Sequence, residues 1–243
     1  MDKLRVISRK AEVKIRLGKV LQVYHKQGLS FSVKEIADEI LNQKIKFPLL
    51  EYCAHELYRE LPESEQIRFC DEVEALKTIG GNVILGIMLQ NRLKDHFEQS
   101  IEKATEYISK AHAWYICDIV GERVYGYSMR HEPVKTFPVF KRLAKHENRW
   151  VVRSLGAGAH YAIKKGLEKK EVEKIFKLLL QLASTRDKEI KQGVGWAAKT
   201  TAKFHPDIIA ANEAKIQNAE KVGVWFRTKI RIGLERHAYA QRN

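Results

Sequence analysis

The sequence is poor in cysteine and proline and has no long apolar run. Its three cysteines are widely spaced and odd in number, which argues against a disulfide framework and favours a reducing compartment. The N-terminal residues lack an apolar core of signal-peptide length, and no stretch approaches the roughly 18 apolar residues of a membrane span. We therefore expect a soluble, cytoplasmic protein with no membrane partner.

Motifs for metals and cofactors are also missing. The three His-Glu pairs, which begin at residues 55, 131 and 146, lack a second histidine four residues on, and there is no Cys-x-x-Cys and no Walker motif. The glycine pairs at 156/158 and 193/195 follow no predicted strand, so a dinucleotide-binding loop is not expected there. The sequence thus predicts neither a bound metal nor a cofactor.

Positive charge is abundant but unevenly distributed. The net charge is +14; residues 1–110 contain 18 Lys and Arg against 17 Asp and Glu, whereas residues 111–243 contain 26 against 13. A basic field confined to one half attracts polyanions, and nucleic acid is the commonest polyanion in cytoplasm. Charge alone leaves open a merely solubilising basic surface.

Apolar residues recur with helical spacing along nearly the whole chain. The first helix is predicted to end at Gly28, Ser32 to cap the next one, and Gly80-Gly81 to close a later helix pair. No alternation typical of strands joined by hairpins occurs. Four of the five prolines are predicted to lie between helices: Pro62, Pro133, Pro138 and Pro206.

The second half contains a repeat. Glycines recur at positions 121, 156, 195 and 233, each in a short helix that a second helix completes. A two-helix period near 40 residues is typical of HEAT-like arrays. We predict an all-α HEAT-like solenoid, curved, with a concave basic face. It would form a single domain over residues 1–243, with N-terminal helices in 1–44 and the repeats that carry the site in 45–243. The equivalent repeat positions Asp118, Arg153 and Gln192 would form a row.

One stretch of the basic half carries candidate chemistry. Trp114 and Asp118 are four residues apart, so they share one helix face. A lone aspartate is commonly a surface or capping residue, and a tryptophan more often belongs to a core than to a ligand site. Arg149, Arg153 and Trp196 lie downstream in the next two repeats, and together the five residues favour a site for a cationic substrate carried on a polyanion.

These segments give the chain a resemblance to a known family. The segments are Trp114-x-x-x-Asp118, Arg149-Trp150-Val151-Val152-Arg153, and Gly195-Trp196-Ala197 followed by His205-Pro206-Asp207. They resemble those of the AlkD-like DNA alkylation repair glycosylases, which are built from HEAT-like repeats. The resemblance implies that Trp114 and Trp196 flank the deoxyribose of a lesion and that Asp118 assists cleavage of the glycosidic bond.

The same resemblance implies a partner, duplex DNA that contains alkylated bases, bound by a monomer without a cofactor. Phosphate contacts are expected from four basic residues: Arg149, Arg153, Lys191 and Lys199. Family members also line the cleft with an N-terminal aromatic, for which Tyr24 is the candidate. A second aromatic that often precedes the catalytic-helix tryptophan is replaced here by Ala113.

The implied activity is that of a DNA glycosylase, which hydrolyses the N-glycosidic bond of cationic purines alkylated at N3 or N7. Neutral bases such as uracil leave less readily and would need either a dedicated base pocket, for which no motif is visible, or a protonating acid, which neither Cys117 nor His112 is placed to supply. Two other classes of function remain open. One is a non-catalytic repeat module that binds DNA structures, and the other is a scaffold for protein partners.

Overall fold

The computed structural model describes residues 6–111 and 113–241. It is 80% helical, which confirms the predicted all-α helical-repeat class. Residue contacts divide the chain into two compact units, residues 1–100 and 101–243, each with its own buried apolar core. The curvature, the concave basic face and the single domain stay predictions.

The first unit is a small helical array. A parallel pair of two-residue strands, β1 (Val6–Ile7) and β2 (Lys44–Ile45), joins its N-terminal end to the loop before the third helix. A π-helical segment, Ala37–Leu41, extends the second helix. The α-helices are α1 (Lys10–Gln27), α2 (Leu29–Ile36), α3 (Phe47–Glu60), α4 (Glu63–Ala75) and α5 (Ile79–Arg92), and α6 (Phe97–Ser109) follows at the boundary between the units.

The second unit alternates between two rows of helices. Its elements are α7 (Trp114–Val120), a π-helical segment (Gly121–Gly126), α8 (Tyr127–His131), α9 (Pro133–Ala144), α10 (Arg149–Lys164), α11 (Lys169–Gln181), α12 (Lys188–Phe204), α13 (Pro206–Ala211), α14 (Glu213–Ile216) and α15 (Val224–Ala240). In one row α10 packs between the α7/π-helical stretch and α12, and α12 packs between α10 and α15. We call this the glycine row, because its members carry the four recurring glycines. The other row includes α9 and α11, which pack on each other.

Backbone contact holds the glycine row together. A Cβ atom at position 156 would lie 2.1 Å from the carbonyl of Gly193, and one at position 193 would lie 2.2 Å from the carbonyl oxygen of Arg153. No side chain fits in those gaps, so α10 and α12 touch through their main chains. The glycines at these positions therefore allow the two helices to approach more closely than any other residue would.

Several local predictions are corrected. Gly28 does end α1, with a φ of 86°, but α2 begins at Leu29 and Ser32 lies inside it, where its Oγ donates to the Leu29 carbonyl. The pair Gly80-Gly81 opens α5 instead of closing α4, because Thr78 caps that helix by accepting a hydrogen bond from the Gly81 amide.

Pro138 lies inside α9 and not between helices. A proline there removes the hydrogen bond to the carbonyl four residues earlier. Both Pro138 and that earlier residue, Val134, lie on the exposed side of α9. Water can therefore take the place of the lost bond, and the apolar positions Val139, Phe140 and Leu143 keep the helix packed.

Candidate active site

The candidate site is built around the carboxylate of Asp118, both of whose oxygens are bound by one arginine. Arg153 of α10 donates from Nε to Asp118 Oδ1 at 2.9 Å and from Nη2 to Asp118 Oδ2 at 2.8 Å. Its remaining terminal nitrogen, Nη1, donates to Glu189 Oε2 of α12 at 2.8 Å. The three side chains are 13%, 9% and 19% exposed for Asp118, Arg153 and Glu189. Two carboxylates thus share one guanidinium in a largely shielded setting.

The three residues come from successive helices of the glycine row. Asp118 lies on α7, Arg153 is 35 residues later on α10, and Glu189 is 36 residues after that on α12. The row was expected to continue at Gln192, but Gln192 is exposed and Glu189, in the first turn of α12, takes that place. Asp187 caps this turn by accepting from the amides of Glu189 and Ile190. Glu189 was missed because a carboxylate in a first helical turn is common for reasons of capping alone.

Trp114 lies one turn before Asp118, as the spacing predicts. It begins α7 and is 57% exposed, an unusual exposure for a tryptophan that belongs to a core. The Arg153 Cζ lies 5.7 Å from the centroid of its ring, within the range of a cation–π contact. The structure therefore brings Trp114, Asp118 and Arg153 together.

Trp196 of α12 lies against a residue that the sequence did not single out. The ring of His160 stacks on it with 4.0 Å between centroids and 22° between planes. His160 Nδ1 is 2.7 Å from Thr200 Oγ1, which in turn donates to the Trp196 carbonyl. Burial, with Lys164 and Lys199 nearby, lowers the pKa of His160 to about 4, so the imidazole is neutral at pH 7. One face of Trp196 is thus covered by a neutral ring.

The basic residues of the prediction are distributed along α10 and α12. Arg149 is exposed, with its Cζ 5.3 Å from the centroid of the Trp150 ring, whereas Lys191 and Lys199 are half-buried. Burial, reinforced by Arg236 and Lys229, lowers the pKa of Lys199. All four predicted phosphate contacts belong to the second unit, but Arg153 is the one that is already bound by carboxylates.

Tyr24, the candidate for the N-terminal aromatic, belongs to α1 in the first unit. Its hydroxyl donates to Glu65 Oε2 at 2.7 Å, and burial together with that carboxylate raises its pKa to about 12. In this unit Tyr24 therefore serves as a hydrogen-bond donor between α1 and α4.

Cys117, the described neighbour of Asp118 that was considered as an acid for a leaving base, is a poor one. Cys117 is fully buried, and burial, followed by the charge of Asp118, raises its pKa to about 12. His112 lies outside the described residues. Across residues 6–111 and 113–241, no group of three or more His, Cys, Asp or Glu side chains could hold a metal ion. Within the same ranges, no helix is both long enough and apolar enough to cross a membrane.

An arrangement of this kind can stabilise developing positive charge. The two bonds from Arg153 fix the plane of the Asp118 carboxylate, yet each oxygen has a further lone pair for a third group. The Trp114 ring on the same helix face adds a surface that favours cationic character. The chemical capacity of the site is therefore electrostatic and orienting.

Comparison with known proteins gives one informative match. A family model described as "DNA alkylation repair enzyme" matches residues 22–212. The search of curated proteins found no match. A solved structure described as an engineered protein is 12% identical, covers 92% of this chain and 96% of its own, and has a TM-score of 0.43. A similarity at that level says nothing about function.

Proposed function

The chain belongs to the DNA alkylation repair enzyme family, and from that premise we propose that it is a DNA glycosylase. The substrate would be a cationic purine, alkylated at N3 or N7, in duplex DNA. The reaction would be hydrolysis of the bond between that base and its deoxyribose. DNA as the partner and repair as the process follow from the family, while the reaction and the substrate are the proposal.

The observation that carries this proposal is the Asp118 carboxylate. It is 13% exposed, it is fixed in plane by two hydrogen bonds from Arg153, and an exposed tryptophan lies one turn away. A carboxylate that merely solubilised the surface would be free to rotate in water. A fixed carboxylate of this kind costs no reorganisation when positive charge develops near it.

Hydrolysis of an alkylated purine requires little more than a fixed carboxylate beside the sugar. An alkylated purine already carries a positive charge, so it departs as a neutral base and leaves an oxocarbenium-like sugar behind. Asp118 would stabilise this sugar and position the attacking water, as carboxylates do in glycoside hydrolysis. No acid is needed to protonate the leaving base, which agrees with the neutral, fully buried state of Cys117.

Trp114 and Trp196 would flank the deoxyribose. Trp114 is exposed, and Trp196 is half-buried with His160 covering one of its faces. The neutral state of His160 keeps an uncharged ring behind Trp196, so the stacking partner itself adds no positive charge next to a cationic sugar. His160 thus supports the orientation of Trp196.

The role of Arg153 needs revision within the proposal. The resemblance implies a phosphate contact, but Nε, Nη1 and Nη2 of this guanidinium each donate to a carboxylate, and the side chain is 9% exposed. We therefore assign Arg153 to the orientation of Asp118. Phosphate contacts are left to Arg149, Lys191 and Lys199.

One observation favours a second function. Both oxygens of Asp118 are bound by Arg153, and the ion pair links three helices. The same geometry would serve as a brace in a module that binds DNA structures or protein partners without catalysis. In that case Asp118 would affect stability and not base release.

The test is the release of 7-methylguanine and 3-methyladenine from methylated duplex DNA by the wild-type protein and by Asp118→Asn. We expect release by the wild type and a loss of release in the variant, with the affinity for undamaged duplex retained. A wild-type protein that binds DNA but releases no base would establish the non-catalytic alternative.

A further inference from the structure

Three cations lie where α12 and α15 meet. Lys199 is one turn after Gly195 on α12, while Lys229 and Arg236 lie on either side of Gly233 along one stripe of α15. A Cβ atom at position 233 would lie 2.4 Å from the Lys199 carbonyl oxygen. The two helices therefore touch through their backbones between the cations, which keeps all three close.

The side chain of Lys229 packs against Gly195, where no side chain stands in its way. A Cβ atom at position 195 would lie 3.0 Å from Lys229 Cγ, 3.4 Å from Cδ and 3.3 Å from Cε. The aliphatic part of Lys229 is therefore laid across α12 at Gly195 instead of extending into water. Its ammonium group is kept at the turn that also bears Trp196 and Lys199.

These like charges have no carboxylate between them. Within the described part of the chain, no ion pair involves Lys199, Lys229 or Arg236, and the acid next to Arg236 in sequence, Glu235, binds Arg231 at 2.6 Å. Lys199 is half-buried, and burial followed by its two cationic neighbours lowers its pKa. Gathered cations of this kind repel one another, and an anion bound among them would remove that cost.

We propose that Lys199, Lys229 and Arg236 form a seat for backbone phosphate of a DNA strand, beside Trp196. The inference rests on the proposed function only in taking DNA as the polyanion. Two of the three cations belong to α15, which begins after residue 212, where the family match ends. The seat would hold the strand on the side of α12 that faces α15.

The experiment measures the affinity for an undamaged duplex as a function of salt between about 50 and 200 mM, where phosphate contacts are revealed by the slope. Lys229→Gln combined with Arg236→Gln removes two cations from the seat. Lys145→Gln combined with Lys177→Gln removes two exposed lysines, one directly after α9 and one in α11, and is the matched control. We expect the first pair to reduce the slope of log K against log salt by about 2. The control pair should change it much less.

A third variant tests the geometry without changing any charge. Gly195→Ala places a methyl group against the Lys229 stem and must displace it, whereas alanine is otherwise more favourable than glycine inside a helix. We expect a weaker affinity comparable to that of Lys229→Gln alone, in a protein that unfolds no earlier than the wild type.

Two results would contradict the proposed phosphate site and indicate a diffuse basic field instead. They are equal salt slopes for the two double variants and an unchanged DNA affinity in Gly195→Ala. Base release is measured separately. If the wild type releases no base yet the seat variants lose their salt slope, the glycosylase proposal fails while the phosphate seat stands.

Discussion

The substitution Asp118→Asn distinguishes a catalytic role of this carboxylate from a structural one, once the effect of the substitution on the free energy of unfolding is known. Arg153 donates one hydrogen bond to each Asp118 oxygen. Asparagine has one oxygen and one amide group, so it can accept one of these bonds, while its amide faces the other guanidinium donor. A hydrogen bond to a charged group contributes about 1.5 to 3 kcal/mol. We expect the free energy of unfolding to fall by about 2 to 3 kcal/mol and the Tm by about 4 to 12 °C.

Glu189→Gln is the matched control for that substitution. It removes the same charge from the same cluster, but glutamine keeps an oxygen to accept the single bond from Arg153 Nη1. The expected loss is about 1 kcal/mol, or about 2 to 4 °C in Tm. Because Asp118 stays bound to Arg153 in this variant, the proposed catalytic group is untouched.

Base release should separate the two variants far more strongly than their stabilities do, because both proteins are folded under the conditions of the assay. Loss of a fixed charge that stabilises a transition state lowers the rate by about 100- to 1,000-fold. We expect Asp118→Asn to lose at least about 100-fold and Glu189→Gln less than about tenfold. The assay is single-turnover release of 7-methylguanine with protein in excess, below the Tm of both variants, so that the chemical step is observed. Similar rates in the two variants, or wild-type release by Asp118→Asn, would refute the assignment of Asp118.

Three other predictions follow from the same residues. Arg153→Ala leaves two shielded carboxylates without their cation, so we expect it to lower the free energy of unfolding by about 3 kcal/mol or more in denaturant titrations; a stable variant with weakened DNA binding would show that Arg153 is instead the phosphate contact. In parallel excision assays the protein should release 7-methylguanine and tolerate bulky N7 adducts but leave uracil, and efficient uracil release would mean that a base pocket exists. The pKa of His160 is lowered in the folded state to about 4, so the unfolded chain binds more protons between that pH and about 6.5, and stability should fall as pH decreases through this window, by less than about 1.4 kcal/mol per pH unit. Thermal unfolding should show this dependence flattened in His160→Phe, which keeps an aromatic ring on Trp196; an identical pH profile in that variant would show that other groups cause it.

Much of the fold could be predicted because the spacing of apolar residues and the interval between glycines are visible in the sequence. The pairing of Trp114 with Asp118 needed only the helix repeat, and Arg153 needed only the glycine interval. Ser32 and Pro138 were misjudged for one physical reason. A buried serine and an exposed proline are both tolerated inside a helix when neighbouring apolar residues hold it, and tertiary packing outweighs local preference.

Glu189 and His160 could not be predicted from periodicity within a helix, because both act through the crossing of one helix over the next. The crossing has an offset of 35 or 36 residues: Asp118 to Arg153 is 35, and Arg153 to Glu189 and His160 to Trp196 are 36. A search at 36 residues from the recognised residues would have found both. The glycines at 156 and 195 suggest an interval of 39 instead, so the offset between α10 and α12 becomes visible only in the contact between their main chains.

The main-chain contact between Gly156 and Gly193 also bears on how the site comes into being as the chain folds. Neighbours in the glycine row are separated by about one repeat in sequence, so each helix can dock soon after the helix before it has formed. Folding of this row therefore does not depend on contacts between residues far apart in sequence. Arg153 acquires Asp118 when α10 docks on α7, and acquires Glu189 only when α12 closes on α10. The complete cluster of Asp118, Arg153 and Glu189 therefore requires the third helix of the row, and a growing chain that ends before α12 would contain Arg153 with one of its two acidic partners.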